Sequence, residues 1–77
     1  MTEAVQSLAD VMPDEVVTVR RVLFECLQAQ CAELGLREGD RVRVGGDRHS
    51  TRLLRKANGW LLRCPPEFAR FVEVRHG

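Results

Sequence analysis

The residues of this 77-residue chain best suited to chemistry are three cysteines and two histidines: Cys26, Cys31, Cys64, His49 and His76. The cysteine spacings match no zinc finger, zinc ribbon or C-x-x-C pattern. Cys26 and Cys31 stand five residues apart, about 140° around a helix, so they cannot share one ion from the same helix. An intermolecular metal centre is the arrangement left open. Its ligands would come from His49, His76 and Cys26, whose imidazole and thiolate donors suit a transition ion such as Fe or Zn. An odd number of unpatterned cysteines otherwise reads as reduced thiols in a cytosolic protein.

Nucleophilic catalysis finds little to work with. Ser50 follows His49 directly, and neighbours in an extended segment point to opposite faces, so they do not form a nucleophile–base pair. The chain contains no P-loop, no paired glycines ahead of a helix and no carboxylate pair at metal spacing. These absences point to a binding protein and not to an enzyme.

The elements that must position these residues are short. Residues 1–6 read as a loose N-terminal tail, and residues 7–77 as one domain. Ser7 followed by Asp10 caps one brief turn, which ends before Pro13. Glu15–Val22 is rich in β-branched residues and reads as a strand. Phe24, Leu27, Cys31 and Leu34 recur at the spacing of one helix face, which predicts an amphipathic helix from Val22 or Leu23 to Leu34 with that stripe facing the core. Gly35 stands where a left-handed residue ends a helix, with Leu36 folding back on Cys31 or Ala32. Gly39 supplies a second reversal, and "DRVRV" follows as a strand with Val42 and Val44 inward and Arg41 and Arg43 outward.

Asn58-Gly59 is the favoured pair for a two-residue type I′ hairpin. That register sets Ala57 against Trp60, Arg55 against Leu62 and Leu53 against Cys64 on the core face. Arg52, Leu54, Lys56, Leu61 and Arg63 then lie outward. "PPEFAR" makes one helical turn with proline at its start, and "FVEVR" is the closing strand. About five strands with one inserted helix predict a mainly β fold, a small, partly open barrel.

Twelve Lys and Arg against eleven Asp and Glu give a net charge of +1, too weak a field to draw nucleic acid. No segment approaches the length of a membrane-spanning helix, and no basic-then-apolar leader opens the chain. The location expected is cytoplasmic.

The order of these signals resembles a known family. "SLADVMPDEVVTVRRV", the helix entering "CAELGLREGDRVRV", and "NGWLLRCPPEFARFVEV" together are similar to the FeoA family of ferrous iron transport proteins, from about Ser7 to Val74. The most specific part is Leu34-Gly35-Leu36, followed by Gly39 and the valine-alternating strand. Leu62-Arg63, Glu67, Ala69, Val72 and Val74 form a second set. The resemblance implies an SH3-like barrel with a helix inserted after the first strand. It also implies a small accessory protein that regulates or assembles the FeoB membrane iron transporter by direct contact, recruited to the inner membrane through that partner. Similar domains close the chains of metal-dependent repressors, so the alternative is a stand-alone metal-linked regulatory module that dimerises. Three features depart from the family pattern: Asp14 replaces a glycine before the first strand, the helix is rich in Gln and Cys, and Pro66 lengthens the last corner.

Two contact surfaces are expected. Leu54 and Leu61, among Arg52, Lys56 and Arg63, would form an apolar centre with a cationic rim, which suits a protein partner better than a phosphate backbone. Glu25, Gln28, Ala29 and Ala32 would form the outer face of the helix. Leu34, Gly35, Leu36 and Gly39 carry the fold signature and serve structure.

Overall fold

The computed structural model describes residues 5–47 and 49–76. In chain order the elements are β1 (Val5–Ser7), a 3₁₀ turn (Leu8–Asp10), β2 (Val16–Val22), α1 (Glu25–Leu34), β3 (Arg41–Gly45), β4 (Arg52–Lys56), β5 (Leu61–Cys64), α2 (Pro66–Ala69) and β6 (Val72–His76). All six strands join one antiparallel sheet in the order β1-β6-β2-β3-β4-β5. The sheet curls around an aliphatic core as an open SH3-like barrel.

Alternation along the strands builds that core. Val42 and Val44 of β3, Leu62 and Cys64 of β5, and Val72 and Val74 of β6 are buried, while Arg41 and Arg43 face out. β2 breaks strict alternation: Val17, Val19 and Val22 are all buried. A bulge between Val19 and Arg21 adds one residue to the ladder with β6 and restores the inward face for Val22.

The turn before β2 explains the departure at Asp14. Glu15 N–H donates to Met12 O at 3.3 Å, closing a turn with Pro13 and Asp14 at its centre. Asp14 has φ 71°, a left-handed conformation that glycine adopts without cost. Asp14 N–H is also 2.7 Å from Val44 O, so the strained residue is held by the adjoining strand.

Gly35 ends α1 as expected, with φ 94°. Its N–H donates to Ala32 O at 3.0 Å and Leu36 N–H to Cys31 O at 2.8 Å, the paired bonds of a Schellman motif. Leu36 is buried beneath this corner. Gly39, with φ 90°, then turns the chain into β3, and its N–H donates to Val19 O at 2.8 Å.

Three expectations need correction. Val5 and Gln6 are not part of a loose tail but pair with Arg75 and Val74; residues 1–4 lie outside the described residues. The fold class itself is as expected, mainly β with one inserted helix; among the described residues the strands number six, and α1 follows the second because Val5–Ser7 adds a strand ahead of it. The helix begins at Glu25, because Leu23 N–H is engaged by Phe71 O at 3.0 Å and Phe24 remains extended. Its apolar stripe is buried only at the centre, at Cys31 and partly at Leu27. Phe24, extended ahead of the helix with its ring edge-on to Phe71, is 50% exposed, and Leu34 in the last turn is 41% exposed.

A candidate docking surface on the outer sheet

The hairpin between β4 and β5 decides which residues reach the surface. Its loop has three residues, not two. Lys56 N–H donates to Trp60 O at 2.9 Å and Gly59 N–H to Lys56 O at 3.0 Å, with Gly59 at φ 87°. This is a type I turn followed by a left-handed bulge residue. The resulting register opposes Leu54 to Leu62, Arg55 to Leu61, Leu53 to Arg63 and Arg52 to Cys64. A shift of one residue reverses every side chain of β4, whereas β5 keeps its expected faces.

The expected patch is therefore divided. Arg52 and Leu54 are fully buried, while Leu61 and Arg63 are exposed. Lys56 is half-buried, its Nζ donating to Gly35 O at 2.8 Å and lying 3.2 Å from Asp40 Oδ2. This lysine ties the hairpin to the last turn of α1, where its charge meets the negative end of the helix. Arg52 serves the core: Nη1 donates to Ala9 O at 3.2 Å and Nη2 to Val11 O at 2.7 Å. Its guanidinium holds the carbonyls behind the 3₁₀ turn.

Sequence reasoning missed Leu53 and Arg55. A signal was present, because the two-residue register buries Arg55 beside Leu62 and exposes Leu54. The observed register instead buries the two leucines together. Arg41, Arg43, Leu53, Arg55, Leu61 and Arg63 now share the outer face of β3–β5. A depression of ≈ 380 Å³ crosses it, lined by Asp14, Arg43, Val44, Gly45, Leu53, Arg55 and Leu61. An apolar centre with a cationic rim thus exists, assembled from partly different residues.

The outer helix surface is present in part. Glu25, Gln28 and Ala29 are exposed and Ala32 is half-buried. Gln28 also has a structural task, donating from Nε2 to Val22 O at 2.9 Å and fastening α1 to the end of β2.

The expected metal ligands do not converge. Cys26 is exposed on α1. His49 lies in the β3–β4 loop, its N–H donating to Asp47 Oδ1 at 3.1 Å. His76 lies on β6, with Nδ1 3.1 Å from Glu15 Oε2 and Nε2 2.7 Å from Gln6 Oε1. Among the described residues, no three of His, Cys, Asp and Glu gather as a metal site.

His49 does share a surface depression with Ser7, Asp10 and Arg70. Ser7 Oγ, however, donates to Asp10 Oδ2 at 3.2 Å, so its hydroxyl is directed at a carboxylate and not at the imidazole a nucleophile requires. Burial raises the pKa of the Cys31 thiol. Burial, and then the proximity of Cys31 and Glu67, pushes Cys64 up to about 12. Both thiols stay protonated and unreactive at neutral pH.

No protein-family model matches the sequence, and no curated protein does. Solved structures do match. The chain superposes on an iron uptake regulatory protein, FeoA, with TM-score 0.80 and 19% identity, covering 94% of this chain and 96% of that one. A FeoA-like protein from Clostridium acetobutylicum gives 0.81 and 20% identity, covering 99% and 90%. IdeR from T. acidophilum gives 0.84 and 18% identity over 100% of this chain but 36% of its own. A manganese-dependent transcriptional repressor gives 0.84 and 16% identity, again over all of this chain and 44% of its own. Among the described residues no helix is long and apolar enough to cross a membrane. The polypeptide has the SH3-like fold of FeoA and FeoA-like proteins, a fold that IdeR and the manganese-dependent repressor carry within longer chains.

Proposed function

We propose that the protein is a non-catalytic accessory of ferrous iron transport, acting by contact with a FeoB-type membrane transporter. The observation that carries this reading is the mutual coverage with FeoA. Nearly the whole of each chain takes part in that superposition, which supports reading the two proteins as counterparts. The outer face of β3–β5 supports it, because exposed leucines ringed by arginines suit a protein interface. The domain would work in the cytoplasm and reach the inner membrane through its partner.

The test is capture of the tagged protein's partners from solubilised native membranes, identified by mass spectrometry. Enrichment of the FeoB-type transporter is the expected result. Failure to enrich a transporter shown to be intact in the same extract overturns the reading.

The superposition of this whole chain on 36% of IdeR and 44% of the manganese-dependent repressor favours a second reading, a metal-linked regulatory domain. His49, His76 and Cys26 do not converge within one chain, so that reading requires a metal ion, such as Fe²⁺ or Zn²⁺, held between two copies. Sedimentation of the purified protein with and without each ion decides it: a metal-dependent dimer supports the module, and an unchanged monomer rejects it.

A further inference from the structure

The outer face of β3–β5 has a charge and shape that the fold itself does not require. Its exposed side chains are Arg41, Arg43, Leu53, Arg55, Leu61 and Arg63, with no carboxylate on the three strands. Arg43 stands directly across from Arg55 in the ladder, a like-charge pair that opposes folding. Among the described residues none of these four guanidiniums takes part in an ion pair. Arg43 reaches only the main-chain oxygen of Asp14, at 3.1 Å, and Asp14 is the sole acid lining the depression. In a chain of net charge +1 this is a concentrated positive field.

The depression has a floor as well as a rim. Gly45 occupies an outward position opposite Leu53, where any other residue would project a side chain into the groove. Its φ lies outside the left-handed region, and a Cβ there would meet Leu53 O at 3.6 Å and Leu53 Cβ at 3.8 Å, ordinary contacts. Backbone strain therefore does not demand glycine, and what glycine leaves is space between Leu53 and the rim arginines.

We infer that this groove binds an acidic peptide segment of a partner protein, seating one aliphatic side chain over Gly45 between Leu53 and Leu61 while flanking carboxylates meet Arg43, Arg55 and Arg63. Planar guanidiniums engage carboxylates bidentately, and an apolar anchor excludes water around them. The face presents no aromatic platform for bases. Trp60 lies elsewhere, its Nε1 3.7 Å from where a Cβ on Gly35 would be. The inference rests on the proposed action through protein contact and adds the chemistry of the segment recognised.

The probe is a short synthetic peptide with one Leu flanked on both sides by Glu, titrated into ¹⁵N-labelled full-length protein. Shifts confined to the amides of Arg43, Gly45, Leu53, Arg55 and Leu61 are expected. Gly45→Val, which suits a strand and fills the groove, should weaken binding about tenfold while leaving the spectrum dispersed, and Arg55→Glu should do the same. Replacing the peptide's Leu by Ser should weaken it comparably.

Shifts centred elsewhere, or undiminished binding by a folded Gly45→Val protein, overturn the inference. So does tighter binding of single-stranded oligonucleotide or phosphatidylserine vesicles to the same face. Transporter capture that survives Gly45→Val leaves the proposed function standing and removes this groove from it. Peptide binding without transporter capture does the reverse.

Discussion

Arg52 illustrates how much one side chain can decide. Its two bonds to Ala9 O and Val11 O hold the segment before β2 against β4 with a fully buried cation. Arg52→Met keeps most of the volume but leaves those carbonyls without this donor, and urea denaturation should show a loss of about 2–4 kcal/mol. Reversing the charge at this position would unfold the domain and would not report on partner binding; Arg63 is the informative position. Asp14 offers the opposite case. Asp14→Gly removes the left-handed penalty and should stabilise by about 0.5–1 kcal/mol in the same assay.

Cys64 links packing to pH. Its thiol is pushed from 9.0 to about 12, so between those values the unfolded chain has released a proton that the folded chain retains. The unfolded state then binds fewer protons, and stability falls as pH rises through that window. Denaturant midpoints should be steady to pH 9 and decline above it, at up to about 1.4 kcal/mol per pH unit from this group. A Cys64→Ala protein, less stable at neutral pH, should lose that part of the decline. Alkylation at pH 8 should label Cys26 and spare Cys31 and Cys64 until the chain unfolds.

At the scale of elements, the β4–β5 hairpin carries the clearest test. In the observed loop Ala57 is the second residue of a type I turn, a position proline favours. Ala57→Pro should therefore be neutral or stabilising by about 0.5–1 kcal/mol. In a two-residue loop it would instead sit at the end of the strand and weaken it. The register makes a paired statement about leucines on neighbouring positions. Leu54→Ala should cost about 2–5 kcal/mol, because Leu54 is fully buried. Leu53→Ser, on the outer face, should leave stability nearly unchanged while weakening peptide binding.

The α1 corner was readable in advance because its determinants are local. Gly35, Leu36 and the preceding helical residues form the Schellman bonds among themselves. The helix start was less legible, since no side chain caps it and a tertiary bond from Leu23 N–H to Phe71 O sets where it begins.

For the whole molecule, the distribution of charge matters more than its sum. A +1 chain places four arginines on one sheet face without acidic neighbours on those strands, so contact with an acidic partner should weaken as salt rises. Capture of the proposed transporter partner measured across a salt series checks this: little change from low to moderate salt would mean that the interface lies away from the arginine face.

By itself the sequence determined the strands with strict alternation, the helix stop at Gly35, the turn at Gly39, the one-turn α2 and the core position of Cys64. Each depends on a periodicity or on a backbone conformation that nearby residues impose. Tertiary structure decided the β4 register, the burial of Arg52, the strand at Val5–Ser7 and the partial exposure of the α1 stripe. The Asn58-Gly59 pair is compatible with two loop lengths, and the choice between them comes from burying Leu54 against Leu62 in a shared core. That choice moved Leu53 and Arg55 to the surface and completed the groove. A side chain's face in a sheet is set by a pairing with distant residues, which no short stretch of sequence contains.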